Sequence, residues 1–178
     1  MIAVISDSHI PGRAAEIPEE FIDIIEKSDI TVHCGDFETR EVYEKLENKA
    51  EELIAVKGNC DRFELPNSKK FNHKNIEFGV YHGTGINPRG DHETLTKIAE
   101  EDMETKVLIH GHTHQQEAVK KSDKILLNPG SCTGVGGGSS EPGNPKMMIV
   151  NKDQEQIKAE LLELENREIK KHIKKFKQ

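Results

Sequence analysis

Short apolar runs rich in Val and Ile recur along this chain, and each stops at charged or turn-forming residues within a few positions. Ile2 to Ile5, Ile30 to Val32, Leu53 to Val56 and Val107 to Ile109 are too short for helices and read as buried strands. Between them, Phe21, Ile22, Ile24 and Ile25, then Val42, Tyr43 and Leu46, then Leu95, Ile98 and Ala99 recur at helical spacing. Strand and helix alternate, which calls for a parallel or mixed sheet covered by helices. The second half changes character: Lys69 to Phe71, Ile76 to Tyr81, Gln116 to Val119, Ile125 to Leu127, Met147 to Val150 and Ile157 to Leu162 read as strands with short connections. They predict a second, partly antiparallel sheet stacked on the first, with Asn151 to Gln154 turning one hairpin. The glycine-rich stretch Gly134 to Gly143 has no periodicity and reads as a loop.

At 178 residues the chain supports one sizeable core, placed here at residues 1–164. Residues 165–178 are expected to add a basic C-terminal helix, because Ile169, Ile173 and Phe176 form an apolar stripe at helical spacing. That segment carries Arg167, Lys170, Lys171, Lys174, Lys175 and Lys177, yet the whole chain has 25 Lys and Arg against 32 Asp and Glu, a net charge of −7. Such a balance disfavours the broad positive surface that holds nucleic acid. Cys34, Cys60 and Cys132 are few, odd in number and without a CxxC pair, so no disulfide framework or zinc ribbon is indicated. The opening MIAVISD reads as a strand ending in an acid rather than a leader, and no apolar run is long enough for a membrane span. A cytoplasmic protein with no membrane association is expected.

Metal-capable residues cluster just past the ends of these strands, where open sheets form ligand sites. The first strand ends in Asp7, Ser8 and His9; residues two apart on extended backbone point to one side, so carboxylate and imidazole can reach one ion. Gly35 and Asp36 follow the second strand, and Gly58, Asn59, Cys60 and Asp61 the third. Taken singly, these are also what a surface turn, a helix N-cap or an Asx turn looks like. His82 and Gly83 follow the strand ending at Tyr81, and Val107 to Ile109 leads into His110, Gly111, His112, Thr113 and His114. His112 and His114 repeat the two-residue spacing, whereas His110 lies within the strand and reads as packed or hydrogen-bonded.

The ordered set DxH, GD, GN, H and GHxH resembles the signature of the calcineurin-like metallophosphoesterase superfamily. The short length and Asn128-Pro129-Gly130-Ser131 after a strand look like its YfcE-like small phosphodiesterase branch. The resemblance implies a four-layer α-β-β-α sandwich (class α/β, or α+β) of two packed mixed β-sheets flanked by helices. It implies two divalent metal ions, one on Asp7, His9, Asp36 and His114, the other on Asp36, Asn59, His82 and His112. Asp36 would bridge them, and Asp36, Asn59 and His112 would be the catalytic positions. Two cations against two carboxylates and a bridging hydroxide leave a positive site for a phosphodiester anion. Imidazole, carboxylate and amide donors suit Mn, Fe, Ni or Zn better than Ca or Mg, and the family implies Mn2+.

Departures from the pattern carry meaning. Cys60 stands where the superfamily often has a histidine, and a neutral thiol protonates a basic leaving alkoxide poorly, which favours diesters over monoesters. Asp61 is expected behind the ligands, orienting Asn59 or capping the next turn. Thr39, with Glu38 beside it, replaces a frequent second aspartate, and His82-Gly83-Thr84 replaces HGH. Hydrolysis of a small phosphodiester is the expected function, with no nucleic-acid partner and the subunit count left open to a homo-oligomer. Two alternatives compete: a noncatalytic protein-interaction scaffold, disfavoured because all seven ligand positions are filled, and a nuclease, for which only the basic tail speaks.

Overall fold

The computed structural model describes residues 1–138, 140–153 and 155–177. Eleven strands among these residues form two sheets. The first, ordered β11-β10-β9-β1-β2-β3, contains β1 (Ile2–Ile5), β2 (Ile30–His33), β3 (Leu53–Ala55), β9 (Lys146–Lys152), β10 (Gln156–Glu165) and β11 (Glu168–Lys177). The second, ordered β4-β5-β6-β8-β7, contains β4 (Ser68–His73), β5 (Ile76–Tyr81), β6 (Val107–His110), β7 (Glu117–Lys121) and β8 (Lys124–Asn128). Each sheet has a parallel trio, β1-β2-β3 and β5-β6-β8, extended by antiparallel strands.

Side-chain alternation builds the layers. Ile2 and Val4 face the second sheet, where they meet Phe78, Val80, Val107, Ile109, Ile125 and Leu127 in the central core. Ala3 and Ile5 face outward against Phe21 and Ile25 of α1 (Glu19–Ile25) and Val42 and Leu46 of α2 (Arg40–Lys49). On the far side, Leu108 and Leu126 pack against Leu95 of α3 (His92–Lys97) and Ala99 of the π-helical turn Ile98–Asp102 that continues it. This is the expected sandwich of two mixed sheets flanked by helices.

The terminal helix is not there. Glu168–Lys177 is strand β11, paired with β10 over its whole length from Gln156↔Lys177 to Glu165↔Glu168. The apolar stripe splits accordingly: Phe176 enters the central core beside Ile157, while Ile169 and Ile173 lie on the opposite face, 40% and 41% exposed. Ten backbone pairings with β10 and one buried aromatic outweigh a helical stripe that found no surface to dock on. The expected hairpin turn over Asn151 to Gln154 also shifts, since Asn151 and Lys152 continue β9; Gln154 lies outside the described residues, as does Ser139 of the glycine-rich loop.

Candidate metal centre

Six of the seven predicted ligands, Asp7, His9, Asp36, His82, His112 and His114, converge past the carboxyl ends of the two parallel trios. Within the first sheet Asp7 N–H donates to Gly35 O (3.0 Å), and the two sheets are tied together there by Cys132 N–H to Ser6 O (3.0 Å) and His112 N–H to both carboxylate oxygens of Asp7 (3.2 and 3.1 Å). Two motif glycines make this approach possible. A Cβ on Gly111 would stand 2.1 Å from Ser6 Oγ, and one on Gly58 2.1 Å from Asp36 Oδ1. Asp7, His9, Asp36, Glu38, His112 and His114 all have φ between 47° and 81°, so the pairs 7/9 and 112/114 do not lie on the extended backbone expected of them but on left-handed turns past the strand ends. Left-handed backbone costs a non-glycine residue about 1 kcal/mol or more, and strain concentrated on so many ligand-bearing residues marks a functional site.

Two donor groups result. Asp7, His9, Asp36 and His114 bring one ligand atom each within 4.8 Å of one another, and so do Asp36, His82 and His112. Asp36 belongs to both, its Oδ2 lying 3.4 Å from His9 Nε2 and 3.4 Å from His82 Nε2. In the first group His9 Nε2 is 3.3 Å from His114 Nε2, which is 3.4 Å from Asp7 Oδ1. In the second, His112 Nδ1 is 3.2 Å from His82 Nε2. Donors about 2.1 Å from a shared cation are roughly 3.0 to 3.4 Å apart at octahedral or tetrahedral angles, so these spacings fit.

The hydrogen bonds behind the histidines decide which nitrogens face inward. His114 Nδ1 lies 2.7 Å from Val135 O, His82 Nδ1 2.7 Å from Cys34 O, and His9 Nδ1 3.3 Å from Glu38 Oε1. With a cation in place, each of these acceptors would take the Nδ1 proton and leave Nε2 of all three rings free to ligate. His9 Nε2 and His114 Nε2 stand 3.3 Å apart, the separation expected of two donors on one cation. Burial lowers the pKa of His9 and lowers that of His112 to about 4, with the neighbouring His82 adding to the latter. Burial also opposes charge on His82, but the hydrogen bond to Asp36 and the carboxylates of Asp7 and Asp36 outweigh it and raise its pKa. Burial similarly opposes ionisation of Asp36, and the His82 contact with the Cys60 N–H bond overcomes it, holding the carboxylate well below its ordinary range.

Asn59 is exposed beside the second group; its Nδ2 donates to Cys60 Sγ at 3.3 Å, while Cys60 N–H donates to Asp36 Oδ1 at 2.7 Å. Burial, together with the Asp36 charge, pushes the Cys60 thiol up to about 12. Asp61 does something other than orient Asn59. Its carboxylate accepts the N–H groups of Asp36 (3.1 Å), Phe37 (2.7 Å), Glu38 (2.9 Å) and Gly58 (2.7 Å), clamping the loop after β2 to the loop after β3. Glu38 bonds His9 Nδ1 and Gly12 N–H (2.9 Å). Asn128, fully buried at the end of β8, donates from Nδ2 toward His110 Nδ1 (3.2 Å), Gly111 O (3.1 Å) and Thr113 Oγ1 (3.0 Å) and accepts from Gly130 N–H (2.9 Å). Ser131 Oγ donates to Asp7 O at 2.8 Å. Sequence reasoning flagged the Asn128 to Ser131 stretch without seeing that it holds the His112 and His114 loop and the Asp7 turn.

A two-sheet α/β sandwich presenting carboxylates and imidazoles in two adjoining groups is the architecture of a metal-dependent phosphoester hydrolase. Residues 1–155 match the calcineurin-like phosphoesterase superfamily domain, and the chain belongs to that family. A probable metallophosphoesterase of Methanocaldococcus jannaschii is 41% identical over 133 residues, covering 75% of this chain and 68% of the relative. A second, from Methanothermobacter thermautotrophicus, is 37% identical over 165 residues, 91% of each chain. Among solved structures, wild-type Vps29 of Entamoeba histolytica complexed with zinc superposes with a TM-score of 0.87 at 28% identity, covering 98% of both chains. No helix of the described residues is long and apolar enough to cross a membrane.

Proposed function

We propose that this metallophosphoesterase is a phosphodiesterase acting on small phosphodiesters, with one divalent cation in each donor group. The observation that carries the reading is Asp36 Oδ2, equidistant at 3.4 Å from His9 Nε2 of one group and His82 Nε2 of the other. When bound, the ions supply Lewis acidity, an activated water and a clamp for phosphate oxygens. The chain's own part is orientation and charge. Val135 O, Cys34 O and Glu38 aim three imidazoles inward, Asp61 fixes the turn that carries Asp36, and Asp36 stays anionic. His112 stays neutral at physiological pH, and Asn59 is the remaining oxygen donor for the second ion. Cys60 keeps its proton, so it adds no positive charge beside a leaving group; that favours diesters over monoesters with basic alkoxides. The mixed nitrogen and oxygen set suits Mn2+, with Ni2+, Fe2+ and Zn2+ as alternatives.

The test is a metal screen on purified protein with diester, monoester and cyclic-nucleotide substrates in parallel. Mn2+-dependent diester turnover above monoester turnover is expected; metal-independent or absent turnover of every phosphoester overturns the reading. The scaffold alternative has one observation in its favour, the exposure of Ile169 and Ile173 on edge strand β11. It predicts an inert protein whose binding partner is lost on Ile173→Lys, with metal removal without effect.

A further inference from the structure

Next to the second donor group lies a cavity of about 390 Å3 whose wall includes Asn59 itself. Its size falls in the range of small-molecule sites. Because a metal-site residue forms part of the wall, a group lodged in it stands next to a phosphate at the metal centre. The rest of the lining comes from the loop between β3 and β4 and from the end of β5, where Tyr81 directly precedes His82.

The lining is polar in a particular way. Tyr81 lines the cavity, and its hydroxyl donates to Thr84 O, which restrains the ring. Asn67 contributes an exposed side-chain amide, able to donate and accept at once. Lys57 contributes the cation of this lining; its partner Glu64, 2.9 Å away, is 90% exposed, so water screens that pair and a ligand phosphate can replace it. The only carboxylate in the wall, Asp61, has its oxygens taken up by four backbone N–H groups. An aromatic ring, a two-way amide and a cation whose carboxylate partner is exposed and exchangeable are the complement of a planar base bearing its own phosphate.

We propose, building on the phosphodiesterase reading, that this cavity receives the leaving-group half of the substrate and that this half is a nucleotide. The base stacks on Tyr81 and bonds Asn67, and its phosphate lies against Lys57. Small diesters without a nucleotide are then hydrolysed from the metal centre alone.

The experiment uses the full chain with Mn2+ and three diesters: bis-p-nitrophenyl phosphate, the dinucleotide ApA and its terminally phosphorylated form pApA. Lys57→Ala is expected to raise KM for pApA about fivefold more than for ApA, a loss the size of one exposed charge contact. Asn67→Ala raises KM for both dinucleotides, and both variants keep wild-type kcat on bis-p-nitrophenyl phosphate. Binding of adenosine 3′,5′-bisphosphate against inorganic phosphate, measured by calorimetry on the same variants, gives a readout independent of turnover. If wild type hydrolyses no diester while the bisphosphate binds and is weakened by Lys57→Ala, the phosphodiesterase reading fails and the nucleotide cavity stands. Equal KM and equal bisphosphate affinity in wild type and both variants overturn the cavity assignment.

Discussion

Asn128→Ala tests how the histidine loop is held. The side chain is fully buried, and its removal strips a partner from His110 Nδ1, Gly111 O, Thr113 Oγ1 and Gly130 N–H. Thr113 is partly exposed and finds water; the other three are buried. A buried polar group left unpaired costs about 1 to 3 kcal/mol, and water entering the vacated space offsets part of this, so a loss of about 2 to 5 kcal/mol is expected. Since the freed loop carries His112 and His114, a divalent cation binding there would have to reorder it, and affinity should fall at least about tenfold, equivalent to 1.4 kcal/mol. Urea unfolding of metal-free protein measures the first quantity and isothermal calorimetry the second. Asn128→Asp is the sharper companion. It replaces the donor with an oxygen facing Gly111 O and the His110 lone pair, so it should be worst at alkaline pH and improve as protonation of either partner restores a hydrogen bond. A loss below about 1 kcal/mol with unchanged metal affinity would refute the reasoning.

Asp36→Asn should abolish Mn2+ binding in both donor groups and hydrolysis with it; a variant with full occupancy and normal turnover contradicts the shared-carboxylate assignment. Cys60→His should raise monoester relative to diester hydrolysis, read as the ratio of the two kcat/KM values, and an unchanged ratio counts against the missing-acid argument. Stability should fall in acid: burial depresses His33 from 6.5 to about 3 and His110 from 6.5 to about 4, so the unfolded chain binds more protons below 6.5. The loss begins as pH falls below 6.5 and is complete for each residue at its folded value, roughly 3 kcal/mol or more apiece by the linkage relation; His110→Asn should flatten the slope of a urea midpoint series between pH 6.5 and 4. Phe176→Ala should cost about 2 to 4 kcal/mol by opening a cavity under β11, against less than about 0.5 kcal/mol for Ile173→Ala on the exposed face; equal losses would mean that β11 does not pack as described.

Most strand positions, and the metal-capable residues that gather past their ends, were legible because each is local. Val and Ile runs ended by Gly-Asp, Gly-Asn or Gly-His carry their strand and their turn within about six residues, and the glycines mark places where one chain passes against another. The C-terminal strand was not legible, because an exposed edge strand is held by backbone pairing and little by burial. Ile169, Ile173 and Phe176 satisfy a helical period as well as they satisfy two faces of a sheet.

The amino-acid order by itself determined the layered α/β architecture and which side chains are able to bind metal. Tertiary structure decided what aims and holds them: Glu38 on His9, Asp61 on four backbone N–H groups from two separate loops, and Asn128 beneath the GHxH turn. These are side-chain contacts with backbone or imidazole many residues away. A backbone N–H or C=O is the same in every residue, so no residue pattern announces its partner until folding brings the two within hydrogen-bond reach.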